Sequence, residues 1–170
     1  MRKRIATVLF LLTMAISLSA ATADAAPKGV TNARGSWVET GGACTPQGVD
    51  GSVLHLTCTA TATAVGTWVG VWVENADLYL DVNTEDVWGT ADETFTGRAS
   101  DGTIGSLHIL EQVQIEGSDS SLSGQGRIVG GTGDWAGSSG TYTAIGFNPA
   151  VGFGAYEAKW IRPTTRHHRR

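Results

Sequence analysis

Beyond residue 26 the chain shows no run of apolar residues spaced three and four apart, which excludes a helical bundle. It also has no Gly-x-Ser-x-Gly, no His-Glu-x-x-His and no Gly-Lys-Ser/Thr after its glycine-rich stretch, which removes the common hydrolase, zinc-protease and phosphate-loop signatures. Histidine is scarce. Before the tail only His55 and His108 occur, and alternation puts both on polar strand faces. Cysteine is scarcer still, with Cys44 and Cys58 alone. In an exported chain, two cysteines closing a loop of about 15 residues form a disulfide that contributes roughly 3 kcal/mol. A metal pair or reactive thiol would need a reducing compartment or a neighbouring histidine.

The start of the chain supplies that compartment. Arg2, Lys3 and Arg4 precede an apolar run over residues 5–18, and small-x-small cleavage sites follow at Ala21-Thr22-Ala23 and Ala23-Asp24-Ala25. Residues 1–26 therefore read as a secretory signal peptide, residues 27–162 as one domain and residues 163–170 as a basic disordered tail. No second apolar run of membrane length follows, so the expected protein is secreted, extracellular and without a membrane span. Without Arg2, Lys3, Arg4 and Asp24 the formal net charge of −4 becomes about −6, which argues against nucleic acid as a partner.

What the chain has in quantity is glycine, 23 residues, with threonine and β-branched residues between turn signals. This composition predicts an all-β fold. Residues 123–142 organise it: a strand at 126–129, a connection at 130–140, and a second strand from Thr141. Gly130, Gly131, Gly133, Gly137 and Gly140 offer positions able to take positive φ, and Trp135 offers a plate to close one end of a core. Further strands are expected at 36–39, 53–61, 67–74, 78–82, 94–99, 103–116, 141–147 and 153–161. About eight strands in meander order suit a small closed antiparallel barrel better than an open sheet with two free edges.

Three stretches bear on function. In residues 67–74 Val69, Val71 and Val73 face one way and Trp68 and Trp72 the other, as in a strand buried on both faces or one lining a cavity. Asp81, Glu85 and Asp86, with Asp92 and Glu93 close behind, are rich in oxygen, yet Asp86 stands where a calcium loop needs Gly. They read as a solvated acidic loop. In residues 103–116 Glu111 falls on the apolar parity with Leu107, Ile109, Val113 and Ile115. Burial there would raise its pKa and fit it for acid–base work, whereas a bulge or a strand end would return it to water.

Glu93-Thr-Phe-Thr-Gly97, Asp101-Gly-Thr-Ile-Gly-Ser-Leu-His108 and Gly126-Arg-Ile-Val-Gly-Gly-Thr-Gly-Asp-Trp-Ala-Gly137, followed by Gly140-Thr-Tyr, resemble bacterial proteins of unknown function with the allene oxide cyclase-type barrel. The glycine pattern is also similar to that of plant dirigent proteins. The resemblance covers roughly residues 93–160 and implies an eight-stranded barrel with an apolar interior, whose relatives cyclise or guide hydrophobic small molecules or have no known activity. No catalytic residue carries over, because the matching positions are turn and packing residues. The expected function is non-catalytic binding of a small hydrophobic or aromatic ligand by Trp68, Trp72, Glu111, Tyr156 and Trp160, without metal or cofactor. The alternatives are a cyclase- or isomerase-like enzyme using Glu111, and a packed structural or interaction protein of the cell envelope with Trp37, Trp88 or Trp135 exposed. Ligand identity and oligomeric state are not specified by the sequence.

Overall fold

The computed structural model describes residues 28–117, 121–148 and 152–163. Alternating β-branched and small side chains favour extended backbone, and the described residues form eight strands. They are β1 (Lys28–Asp50), β2 (Val53–Gly66), β3 (Trp68–Asp81), β4 (Val87–Ala99), β5 (Ile104–Glu116), β6 (Ser121–Gly133), β7 (Ser139–Asn148) and β8 (Phe153–Pro163). Each pairs antiparallel with the one before it, and β8 returns to β1, so a single sheet closes into a barrel in meander order. The expected signal peptide, the Pro149 connection and tail residues 164–170 lie outside the described residues.

Several boundaries differ from the sequence expectation. The short strand at 36–39 is part of the 23-residue β1, and the strands at 67–74 and 78–82 are one. Asn75, Ala76 and Asp77 look like a turn but continue the alternation, with Ala76 inside and the two polar residues outside. The strand expected at 94–99 begins at Val87, which takes Asp92 and Glu93 out of the acidic loop and into the sheet. β6 runs through the first glycines to Gly133, and the connection contracts to residues 134–138. Gly133 and Gly137 hold φ of 62° and 74° in this tight turn, a region that disfavours residues with a Cβ. Gly131 stays extended and gives close approach instead, since a Cβ there would lie 2.4 Å from the Trp135 carbonyl oxygen.

The two ends of the barrel are built differently. At one end Trp68, Phe95, Leu107, Ile109, Tyr156 and Trp160 fill the interior, and Trp135 seals it. The Trp135 indole is fully buried, 5.8 Å from Phe95 and edge-on to Trp160 at 5.3 Å, and its N–H donates to Thr103 Oγ1. The Trp160 N–H donates to Ser138 Oγ in the same turn. Outside this end Arg162 stacks over Trp160 at 4.3 Å and pairs with Asp101 at 2.6 Å. That hydrogen bond holds the Asp101 carboxyl down at about 2.

Toward the other end small side chains enter the interior, among them Ala60, Ala62, Ala76, Ala91 and Ala144. β7 and β8, with 10 and 11 residues, are the shortest strands, whereas β1 overshoots them and pairs only with β2 over residues 39–50. In that hairpin arm Cys44 and Cys58 are direct register partners and form the expected disulfide. A disulfide persists in an oxidising compartment. On the outer surface Val69, Val71 and Val73 are exposed, so β3 is not buried on both faces. Their β-branched side chains stiffen an extended backbone without needing burial.

Candidate functional site

The hollow end contains a cavity of about 410 Å³. Trp37, Trp72, Tyr142 and Phe147 supply its aromatic wall, Ala60, Ala62 and Ala144 its smooth wall, and both disulfide cysteines also line it. Trp37 stacks on Phe147 with ring centroids 5.1 Å apart. It lies flat on Gly154, where a Cβ would come within 2.5 Å of the indole.

Carboxyl groups are the unexpected lining. Glu74 on β3, Glu93 on β4 and Glu111 on β5 all point inward, with Glu39 of β1 also in the wall. Glu74 and Glu93 are direct cross-strand partners, and Glu111 stands opposite Ala91, one inward position further along β4. Glu93 is 3 % exposed and Glu111 6 %, while Glu74 is half-buried. Like-charged neighbours on one face of a sheet repel, and a dry interior amplifies the cost.

Protonation relieves it. Burial pushes Glu93 well above the ordinary glutamate range, and its hydrogen bond with Glu111 pushes it further. Burial also raises Glu111, an effect the same hydrogen bond opposes. Two carboxyl groups can share a hydrogen bond only through a proton, so burial leaves at least one proton on the Glu93–Glu111 pair. Glu93 Oε2 in turn accepts the Trp72 indole N–H at 2.5 Å. Glu74 is pushed up to about 7 by burial and by the Glu93 and Glu39 carboxyl groups, and Tyr142 is raised by burial and by Glu93, Glu111 and Glu74.

Glu111 Oε1 has no hydrogen-bond partner, and neither do the Trp37 and Trp68 indole nitrogens. A Cβ at position 124 would lie 1.5 Å from Glu111 Oε1, so glycine there is the seat of that oxygen. Among the described residues no three His, Cys, Asp or Glu side chains are arranged to hold a metal ion.

Glu111 faces inward, as its parity requires. The register irregularity of β5 with β6 falls at His108/Ile109 and leaves Glu111 inside. Trp72 joins it in the cavity wall. Trp68, Tyr156 and Trp160 also face inward but belong to the packed end, where Tyr156 stacks on Trp68 at 5.1 Å and Trp160 meets it edge-on at 5.6 Å. Burial raises the Tyr156 phenol to about 12, and its oxygen accepts the Trp68 amide N–H at 3.0 Å. Trp37 is half-buried and Trp135 fully buried, which leaves Trp88, stacked on Tyr79 at 6.0 Å, as the exposed indole of the three considered.

Glu93 was expected in a solvated loop and Glu74 was not singled out. The signal for both is parity: Glu74 shares its face with Trp68 and Trp72, Glu93 with Phe95. His55 and His108 lie outside as expected, paired with Asp77 and Asp92. Asp86 accepts from Thr84 Oγ1 and from the Gly117 N–H, and both bonds lower its pKa. No protein-family model matches the chain, and no curated protein is significantly similar to it.

Proposed function

We propose that this is an exported barrel that binds a small, largely apolar molecule in the cavity of its hollow end. The observation that carries the reading is the cavity itself: about 410 Å³, walled by aromatic rings and alanines, with a few convergent polar groups. Ligand sites have this size and this mixture of broad apolar wall and sparse polar groups. The disulfide suits an extracellular life, and the resemblance to allene oxide cyclase-type barrels suits a hydrophobic guest.

A second reading has its own support. Glu93 and Glu111 holding one proton between them place an acid and a base in contact within a dry site, the pairing that cyclases and isomerases need to move a proton. The test is native mass spectrometry of the protein purified from the medium of its own cells, with tryptophan fluorescence alongside. A co-purifying small molecule and saturable quenching are expected. A bare protein mass with no response to apolar probes overturns the binding reading. Recovery of a supplied candidate molecule in altered form, lost in Glu111→Gln, would favour the enzyme.

A further inference from the structure

We infer that the molecule this cavity selects carries a positive charge: an organic amine whose ammonium sits among Glu74, Glu93 and Glu111 and whose apolar body lies against Trp72 and the aromatic wall. The inference rests on the binding reading above and adds the chemical class of the ligand.

The ionisable groups around the cavity are all acidic. β1 contributes Glu39, β3 Glu74, β4 Glu93, β5 Glu111 and β7 Tyr142, while β8 adds the Tyr156 phenol below. β2 lines it with Cys58 and with alanines and threonines, and β6 presents Gly124 toward Glu111. Among these groups none is basic. Arg34, Arg98, Arg127 and Lys159 are exposed on the outer surface, and Arg162 is held by Asp101 at the opposite end.

Buried carboxyl groups are ordinarily paired with a cation or a metal. Here no described set of side chains forms a metal site, and a shared proton takes the counter-ion's place. Glu111, 6 % exposed, still has an oxygen without a partner. An ammonium brings several N–H donors and a full charge to this cluster. The rings around it add cation–π attraction, which is strongest over Trp. A neutral alcohol of the same shape brings one donor and leaves the carboxyl repulsion in place.

The inference predicts linkage to pH. With Glu74 at about 7, an incoming cation displaces protons, so amine affinity rises from pH 5.5 to pH 8 while the amine itself stays charged. The experiment titrates the full secreted protein with 2-phenylethylamine and with its near-isostere 2-phenylethanol. Tryptophan fluorescence is followed at both pH values, and calorimetry is run in two buffers of different ionisation heat.

Expected is an amine bound at least about tenfold more tightly than the alcohol at pH 8, equivalent to about 1.4 kcal/mol. Proton release on binding and loss of the preference in Glu111→Gln are also expected. Glu74→Gln, at a half-buried position, gives the same readout if Glu111→Gln does not fold. An alcohol that binds as tightly as the amine overturns the charge inference and leaves the binding reading standing. Amine binding that is independent of pH and releases no proton also overturns it. Silence from both probes overturns both.

Discussion

One sheet surrounds two interiors that solve opposite problems. At the sealed end Trp68 is stacked or tilted against Trp72, Phe95 and Tyr156 and meets Trp160 edge-on, with centroids 5.1–6.1 Å apart and the Trp135 turn as a lid. At the hollow end alanines and glycines leave room, and carboxyl groups occupy positions where the alternation calls for apolar side chains. Trp72 sits at the border, touching Phe95 at 5.2 Å on one side and donating to Glu93 on the other. The sealed end supplies stability, and the hollow end, where carboxyl groups stand in place of apolar side chains, gives some of it up.

The most direct way to break this contrast is to truncate one indole at each end. Trp160→Ala should cost about 3–5 kcal/mol in urea unfolding, the range for a fully buried large aromatic. Trp37→Ala, half-buried in the cavity wall, should cost less than half as much. Equal losses would mean that the hollow end is packed after all. Next in size is the staple on the overshooting hairpin. Replacing Cys44 and Cys58 together by Ser should cost about 3 kcal/mol by the loop-entropy argument for their separation of 14 residues. Peptide-resolved hydrogen exchange should show the loss concentrated in residues 39–50 of β1, where β2 is the sole pairing strand.

The carboxyl cluster makes the contrast depend on pH. Glu74, Glu93 and Glu111 are all raised from the ordinary 4.5, so above that pH the folded chain keeps protons that the unfolded chain has lost. Stability is therefore greatest at acid pH and falls as pH rises through the value of about 7 at Glu74. Thermal unfolding should lose about 2 kcal/mol of stability between pH 5 and pH 8. Glu93→Gln, which keeps an acceptor for Trp72 and removes the titration, should flatten that slope. A wild-type protein more stable at pH 8 than at pH 5 would contradict the burial of these groups.

Much of this architecture was legible in the sequence because alternation is a local signal. Glu111 is readable since β5 alternates without interruption around it, and the disulfide since no other cysteines compete. Trp135 is readable as a plate because glycines on both sides force a tight turn. Glu93 was hidden by its neighbours: Asp92 and the acidic run before it resemble a loop, and only Ala91, Phe95 and Ala99 on the same parity reveal the strand. A cavity was legible only as one of two options for residues 67–74, with Trp72 and Glu111 among its expected walls; its place and size were not. Both depend on Ala60, Ala62 and Ala144 lining the same stretch of interior, and on how far short β7 and β8 stop, which are matters of register rather than composition.

The gentlest probe of the contrast is also the most selective. Gly124 lies under the unpartnered Glu111 oxygen, and the three atoms nearest a Cβ there are Glu111 Oε1 at 1.5 Å, Glu111 Cδ at 2.6 Å and Ala144 Cβ at 3.1 Å. The first two belong to the end of a flexible side chain. The backbone at 124 does not have the positive φ that would make alanine strained. Gly124→Ala should therefore change overall stability by less than about 1 kcal/mol, since lost freedom in the unfolded chain offsets part of the crowding. It should also push the Glu111 carboxyl off its seat and away from Glu93. The expected signature is an unchanged circular dichroism spectrum together with a shallower pH dependence of the thermal midpoint than wild type, because a displaced carboxyl is better solvated. If stability drops by several kcal/mol while the pH dependence stays the same, Glu111 is rigidly held and the backbone of β6 has yielded instead.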